Sequence, residues 1–168
     1  MESPGKRVAR WGMLVALALL FSYLESLFPI SLGIPGIKLG LANVVTVFSL
    51  YVYGFSTAFA VSICRVLVGA LLFGNLTMAM YSLAGAITSL GIMVLLAKSS
   101  WFSLFGVSMA GGVAHNVAQV VLAIWIADTW VLLSYLIILI PVGMITGLLI
   151  ALLVHRVQRA LSRGHSGT

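Results

Sequence analysis

The sequence predicts an all-α membrane protein, a bundle of six transmembrane helices. Three observations lead there. Hydrophobic residues make up 62% of the 168-residue chain and charged residues 7%, against about 45–50% and about 25% in an ordinary soluble domain. The apolar positions fall in continuous runs near the ~20 residues that a spanning helix needs, without the alternation of a membrane β-barrel strand. The basic residues gather mainly at the two ends. Mean hydropathy is +1.20. A small soluble domain keeps a large share of its atoms exposed and cannot hide so much apolar surface. A soluble enzyme, a disordered tail and a disulfide scaffold are thereby excluded. Cys64 is the single cysteine, so no internal disulfide or multi-cysteine metal site is available. It lies in an apolar run and reads as a small packing residue.

The first helix is expected from about Trp11 to Phe28, behind Lys6, Arg7 and Arg10. Basic residues before an apolar stretch also mark a secretory signal. This stretch is longer than a typical signal core, and no small-residue cleavage site follows it. Ile34-Pro35-Gly36 reads as a turn, because proline presets one turn dihedral and glycine tolerates positive φ beside it. The second helix is expected at about 38–53 and the third at about 54–73. The fourth follows at about 76–97, the fifth at about 103–127 and the sixth at about 131–155, with residues 156–168 as a basic cytoplasmic tail. The connections are short, so consecutive helices should be antiparallel neighbours. Pro141 should leave the Ile137 carbonyl without its helical partner and kink the last helix. The chain is read as one transmembrane domain, 1–168.

Lys6, Arg7, Arg10, Lys98, Arg156, Arg159 and Arg163 share one side of this layout and Lys38 stands on the other. That imbalance places both ends in the cytoplasm and Asp128 in an outer loop. The net charge of +6 is therefore read as orientation and contact with anionic lipid headgroups, not as a nucleic-acid surface. Trp11, Trp101, Trp125 and Trp130 fall near helix ends, as an interfacial belt would.

Polar groups in hydrocarbon are costly, and each requires a reason. The informative set is Glu25, Lys38, Asn43, Arg65, Tyr81, His115, Asn116 and Gln119. At about 1.5 Å per residue, Glu25 lies roughly 5 Å below the outer helix ends, and Asn43 and Tyr81 roughly 8 Å below. Arg65 and Gln119 lie roughly 12 Å down and His115 near the midplane. The whole set falls in the outer half or at the middle, as a cavity opening outward would require. Ala58, Ser62, Arg65 and Gly69 share one face of the third helix. Ser108, Gly112, His115 and Gln119 share one face of the fifth. Small residues beside a large polar one leave room for a neighbouring helix or for a ligand. On the first helix Ala18, Ser22 and Glu25 cluster on one side. Ala9, Gly12 and Ala16 lie about 150° away. Structural readings stand beside the functional ones. Glu25 and Arg65 could form an ion pair, His115 an interhelical hydrogen bond, and Lys38 an interfacial charge.

Catalytic signatures are absent from the sequence. It has no acidic pair to hold magnesium on a diphosphate, no phosphate-binding loop, no metal-ligand cluster and no nucleophile with base and orienter. The expectation is therefore a protein that is not an enzyme and needs no cofactor or metal.

Ser22-Tyr23-Leu24-Glu25-Ser26, the stretch Pro35-Gly36-Ile37-Lys38-Leu39-Gly40-Leu41-Ala42-Asn43 and Ala114-His115-Asn116-Val117-Ala118-Gln119 resemble the Gx transporter family, often labelled heptaprenyl diphosphate synthase component I. Arg65 and the segment Tyr81-Ser82-Leu83-Ala84-Gly85 fit the same pattern. The resemblance covers nearly the whole chain. It implies a six-helix bundle like the S components of energy-coupling factor (ECF) transporters, in the cell membrane of a prokaryote. Such a subunit captures a small-molecule substrate on the outer side, and its partners are a membrane coupling subunit and two cytoplasmic ATPases. Arg65 and Lys38 would then hold an anionic group. Glu25 would orient Arg65 or meet a polar group of the ligand. Asn43, Tyr81, His115, Asn116 and Gln119 would complete the site with neutral hydrogen bonds. S components commonly couple through small residues on the first helix, which here are Ala9, Gly12 and Ala16. An accessory subunit in polyprenyl diphosphate or quinone metabolism and a stand-alone facilitator are the rival expectations.

Overall fold

The computed structural model describes residues 3–27 and 40–165. They form α1 (Pro4–Leu27), α2 (Leu41–Tyr53), α3 (Phe55–Phe73), α4 (Leu76–Ala97), α5 (Leu104–Ala127) and α6 (Leu136–His165), with a 3-10 turn at Trp130–Tyr135 leading into α6. The fold is an all-α bundle, with no strand among the described residues.

The breaks follow local chemistry. Gly54, at φ 85°, is the single residue between α2 and α3. The Asn75 side chain caps α4 by accepting from the Met78 N–H at 2.8 Å. Ser103 caps α5 by accepting from the Gly106 N–H at 3.4 Å. Each satisfies one of the orphan donors of a first helical turn. Asp128 ends α5 in the left-handed region, at φ 46°.

Three expected boundaries are corrected. The first helix starts at Pro4 rather than near Trp11, because proline suits a first helical position and the basic residues after it are good helix formers. The segment expected as a tail from Arg156 is instead helical to His165, since its Arg, Gln, Ala and Leu residues extend α6 past the apolar run. The second helix starts at Leu41, behind Gly40 at φ 73°. Its 13 residues reach about 20 Å, short of a hydrocarbon layer of about 30 Å. The other five helices are long and apolar enough to cross a membrane. Lys38 and the Pro35-Gly36 turn lie outside the described residues.

Helix α1 packs on α2 and α3, α4 on α3 and α5, α5 on α6, and α6 on α2. The main core joins Val47, Ala58, Leu90, Met93, Val107, Ile150 and Val154. A second cluster sets Leu14 and Ala18 of α1 on Val45 and Val61, and Phe48 touches both clusters. The lower end of α1 is pinned at the α2–α3 turn. There the Trp11 indole N–H donates to Thr57 Oγ1 at 3.1 Å, and the Arg10 guanidinium lies 4.5 Å over the Tyr53 ring. Outside the core the bundle is apolar: Leu71 is 85% exposed and Ile137 77%. In water each such side chain would forgo about 25 cal/mol per Å². Lipid tails, as apolar as leucine, remove that cost. The chain is a multi-pass membrane protein.

Candidate functional site

The α2–α3 hairpin sets the site. Gly54 is a one-residue turn, so residues equally far before and after it arrive at the same level. Asn43 and Arg65 are such a pair, and Arg65 Nη2 donates to Asn43 Oδ1 at 2.9 Å. Thr46 and Ser62 are the next such pair, and both line a cavity. The short α2 places its first turn inside the bundle. There the Gly40 N–H donates to the Glu25 carboxylate. That carboxylate also attracts the Arg65 guanidinium through space. The hydrogen bonds run elsewhere, from Gly40 to Glu25 and from Arg65 to Asn43.

The cavity has a volume of about 30 Å³ and lies where α2 to α6 meet. Its polar wall is Asn43, Thr46, Ser62, Ser89, Ser108 and His115. Thr46 is 4% exposed, and its hydroxyl has no hydrogen-bond partner among the described residues. The same holds for Arg65 Nε, which is also buried. Buried polar atoms are rarely left unpaired in native proteins.

Helices α4 and α5 repeat the hairpin logic about Ser100. Gly85 meets His115 so closely that an added Cβ would lie 2.7 Å from the imidazole. One turn on, Gly111 lies against Ser89 and Met93. Glycine at 85 thus gives the ring its place on the cavity wall.

The third hairpin, α5–α6, accounts for a further expected residue. Asn116 faces Leu139, Gly112 faces Gly143 and Ser108 faces Gly147, stepping by four along each helix. Asn116 Nδ2 donates to the Leu139 carbonyl at 2.7 Å, and Ser108 Oγ to the Gly147 carbonyl at 2.7 Å. Asn116 therefore holds α6 beside Pro141 instead of facing the cavity. Gly112 and Ser108 serve both as cavity wall and as the close crossing of a neighbouring helix.

Of the expected site residues, Asn43 and His115 line the cavity, Arg65 joins Asn43, and Glu25 joins Gly40. Tyr81 and Gln119 are half-buried and away from the cavity wall. Lys38 is outside the described residues. Thr46 and Ser89 were missed. A hydroxyl in an apolar run carries little signal, since it can bond within its own helix. The spacing of Thr46 from Gly54 was the available clue. Ala9, Gly12 and Ala16 are exposed on α1, and Ala18 faces inward, fully buried.

The arrangement offers one guanidinium whose Nε has no partner among the described residues, one carboxylate engaged by backbone, and a small pocket lined by hydroxyls. Residues 14–157 match the family model described as heptaprenyl diphosphate synthase component I. No curated protein and no solved structure matches the chain.

Proposed function

The chain belongs to the heptaprenyl diphosphate synthase component I family, and from that membership we propose that it is a membrane substrate-capture subunit for a small anionic molecule. It works as the S component of an energy-coupling factor transporter, with a membrane coupling subunit and two cytoplasmic ATPases as partners. It sits in a prokaryotic plasma membrane with both ends in the cytoplasm. The observation that carries the reading is the Arg65 guanidinium. It is tethered by Asn43, and its buried Nε has no partner among the described residues. An arginine at this depth costs at least about 2.5–3.5 kcal/mol on insertion scales. An anion would supply the missing acceptor through a charge-assisted hydrogen bond.

Arg65→Ala is expected to lower the small-molecule content of gently extracted protein at least tenfold, or about 1.4 kcal/mol. Mass spectrometry of wild type and variant measures this. Equal content in Arg65→Ala, with Glu25→Gln failing to fold, would make the two charges structural and end the proposal.

The orientation has its own expected result. In a Cys64→Ser background, Thr129→Cys should react with an impermeant thiol reagent in intact cells, and Ser100→Cys should not. Both positions are exposed in connections between helices. The reverse labelling would invert the topology.

The family's description favours a second reading, an accessory subunit of polyprenyl diphosphate synthesis. A diphosphate is also an anion that Arg65 could hold. Co-purification with a catalytic prenyl synthase, and not with ATPases, would select that reading.

A further inference from the structure

We propose that the cavity beneath Arg65 is a second subsite, which takes the uncharged hydroxyl end of a short monocarboxylate whose carboxylate rests on Arg65. This rests on the anion-capture reading above and adds the chemistry of the ligand's other end.

Two buried atoms define the two ends. Among the described residues Arg65 Nε has no acceptor and the Thr46 hydroxyl has no partner; the Ser49 hydroxyl is likewise unpaired but is not on the cavity wall. Thr46 is one helical turn from Asn43 and lines the cavity, whereas Arg65 reaches Asn43 from outside its wall. An occupant that leaves either atom unpaired forfeits about 1–3 kcal/mol, so the ligand that fits offers an acceptor to Arg65 and a hydrogen-bonding group to Thr46, a role that a hydroxyl fills as donor or acceptor.

The charges are equally specific. Among the described residues no Asp, Glu, Lys or Arg is on the cavity wall, and His115 is its titratable side chain, so an uncharged inner end suits it. Ser108 spends its proton on the Gly147 carbonyl and keeps its lone pairs, which suits it to accept from a ligand hydroxyl. At the outer end Arg65 supplies one positive charge and Glu25 already offsets part of it. Beside that pair a monoanion leaves one uncompensated negative charge and a phosphate dianion two, so the monoanion is favoured.

Size limits the ligand further. A cavity of about 30 Å³ holds roughly two waters, so the inner group has two or three heavy atoms. Asn43, which holds Arg65, and Thr46 stand one turn apart on α2, about 5–6 Å between Cβ atoms. A carboxylate beside the Arg65–Asn43 pair and a hydroxyl beside Thr46 then call for a hydroxy acid of about four carbons.

The test uses butyrate and 4-hydroxybutyrate, with acetate and glycolate as the short pair, titrated calorimetrically into the full-length protein in lipid nanodiscs. In the wild type 4-hydroxybutyrate should bind at least tenfold more tightly than butyrate, and glycolate should show little advantage over acetate. Thr46→Val should erase the hydroxyl advantage and leave butyrate binding intact. Arg65→Ala should weaken butyrate and 4-hydroxybutyrate together. Should Thr46→Val not fold, Ser62→Ala on the same wall should reduce the advantage at least threefold. Equal binding of butyrate and 4-hydroxybutyrate, both dependent on Arg65, would overturn the hydroxyl subsite and leave the anion site standing. Binding indifferent to Arg65→Ala, or no binding of any of the four acids, would overturn the monocarboxylate assignment at its anionic end.

Discussion

Gly112→Ala is expected to break the α5–α6 pair and to cost at least about 3 kcal/mol, the upper range for overpacking a tight interior. A Cβ at Gly112 would lie 2.2 Å from the Gly143 carbonyl oxygen. That atom is backbone and has no rotamer into which it can retreat. The two helices would have to separate along the seam where Gly143 and Gly147 face Gly112 and Ser108. The Asn116 and Ser108 hydrogen bonds across it would lengthen with them. Small residues repeating every four positions allow this approach, and only small residues keep it. Gly91→Ala is the control, because Gly91 is exposed and an added Cβ there meets nothing within 4 Å. Alanine in an open helical position should be neutral or gain about 0.5–1 kcal/mol. Thermal unfolding in detergent, with the monodisperse fraction by size exclusion, measures both. If Gly112→Ala melts with Gly91→Ala, the close crossing is wrong.

The Gly12→Leu, Ala16→Leu double variant is expected to keep ligand content within about twofold and to lose energised uptake by at least tenfold, about 1.4 kcal/mol in coupling. Gly12 lies on the open face of α1, where a new Cβ meets nothing within 4 Å. Ala16 is exposed beside it, and Ala9 continues the stripe toward the N-terminus. The inward face of the same helix, with Leu14 and Ala18 buried, carries the packing, so two leucines on the outer face disturb no contact of the bundle. They would obstruct a partner helix that needs small residues for close approach. ATP-dependent uptake in proteoliposomes, with and without the coupling subunit and ATPases, measures the effect. Full uptake by the double variant would exclude this face as the coupling surface. Uptake without any ATPase would favour a stand-alone facilitator.

Part of the candidate site was legible because level along a helix follows from chain position. Counting from helix ends put Glu25, Asn43 and Arg65 in the outer half, and the structure links them as two neighbouring pairs, Glu25 with Gly40 and Arg65 with Asn43. Direct pairing of Glu25 with Arg65 was one sequence expectation, and the hydrogen bonds take another course. Complementary charge suggested the pair. The decision came from Gly40, whose positive φ aims its N–H at Glu25. The two asparagines teach the same lesson. Asn43 and Asn116 are alike in type and both lie within apolar runs. One holds a guanidinium and the other an α6 carbonyl.

What the sequence determined by itself is the class of protein, an all-α membrane bundle. Run length and composition act through the solvent, water or lipid, and require no knowledge of which helix meets which. What only the tertiary structure decided is partnership. The turns at Gly54, Ser100 and Asp128 set which levels face each other, and a one-residue change in any of them would rotate a helix face by about 100°. That is why Thr46 and Ser62 came to line one cavity, and why Gly112, expected to make room for a ligand or a helix, lines that cavity and meets Gly143 of the neighbouring helix.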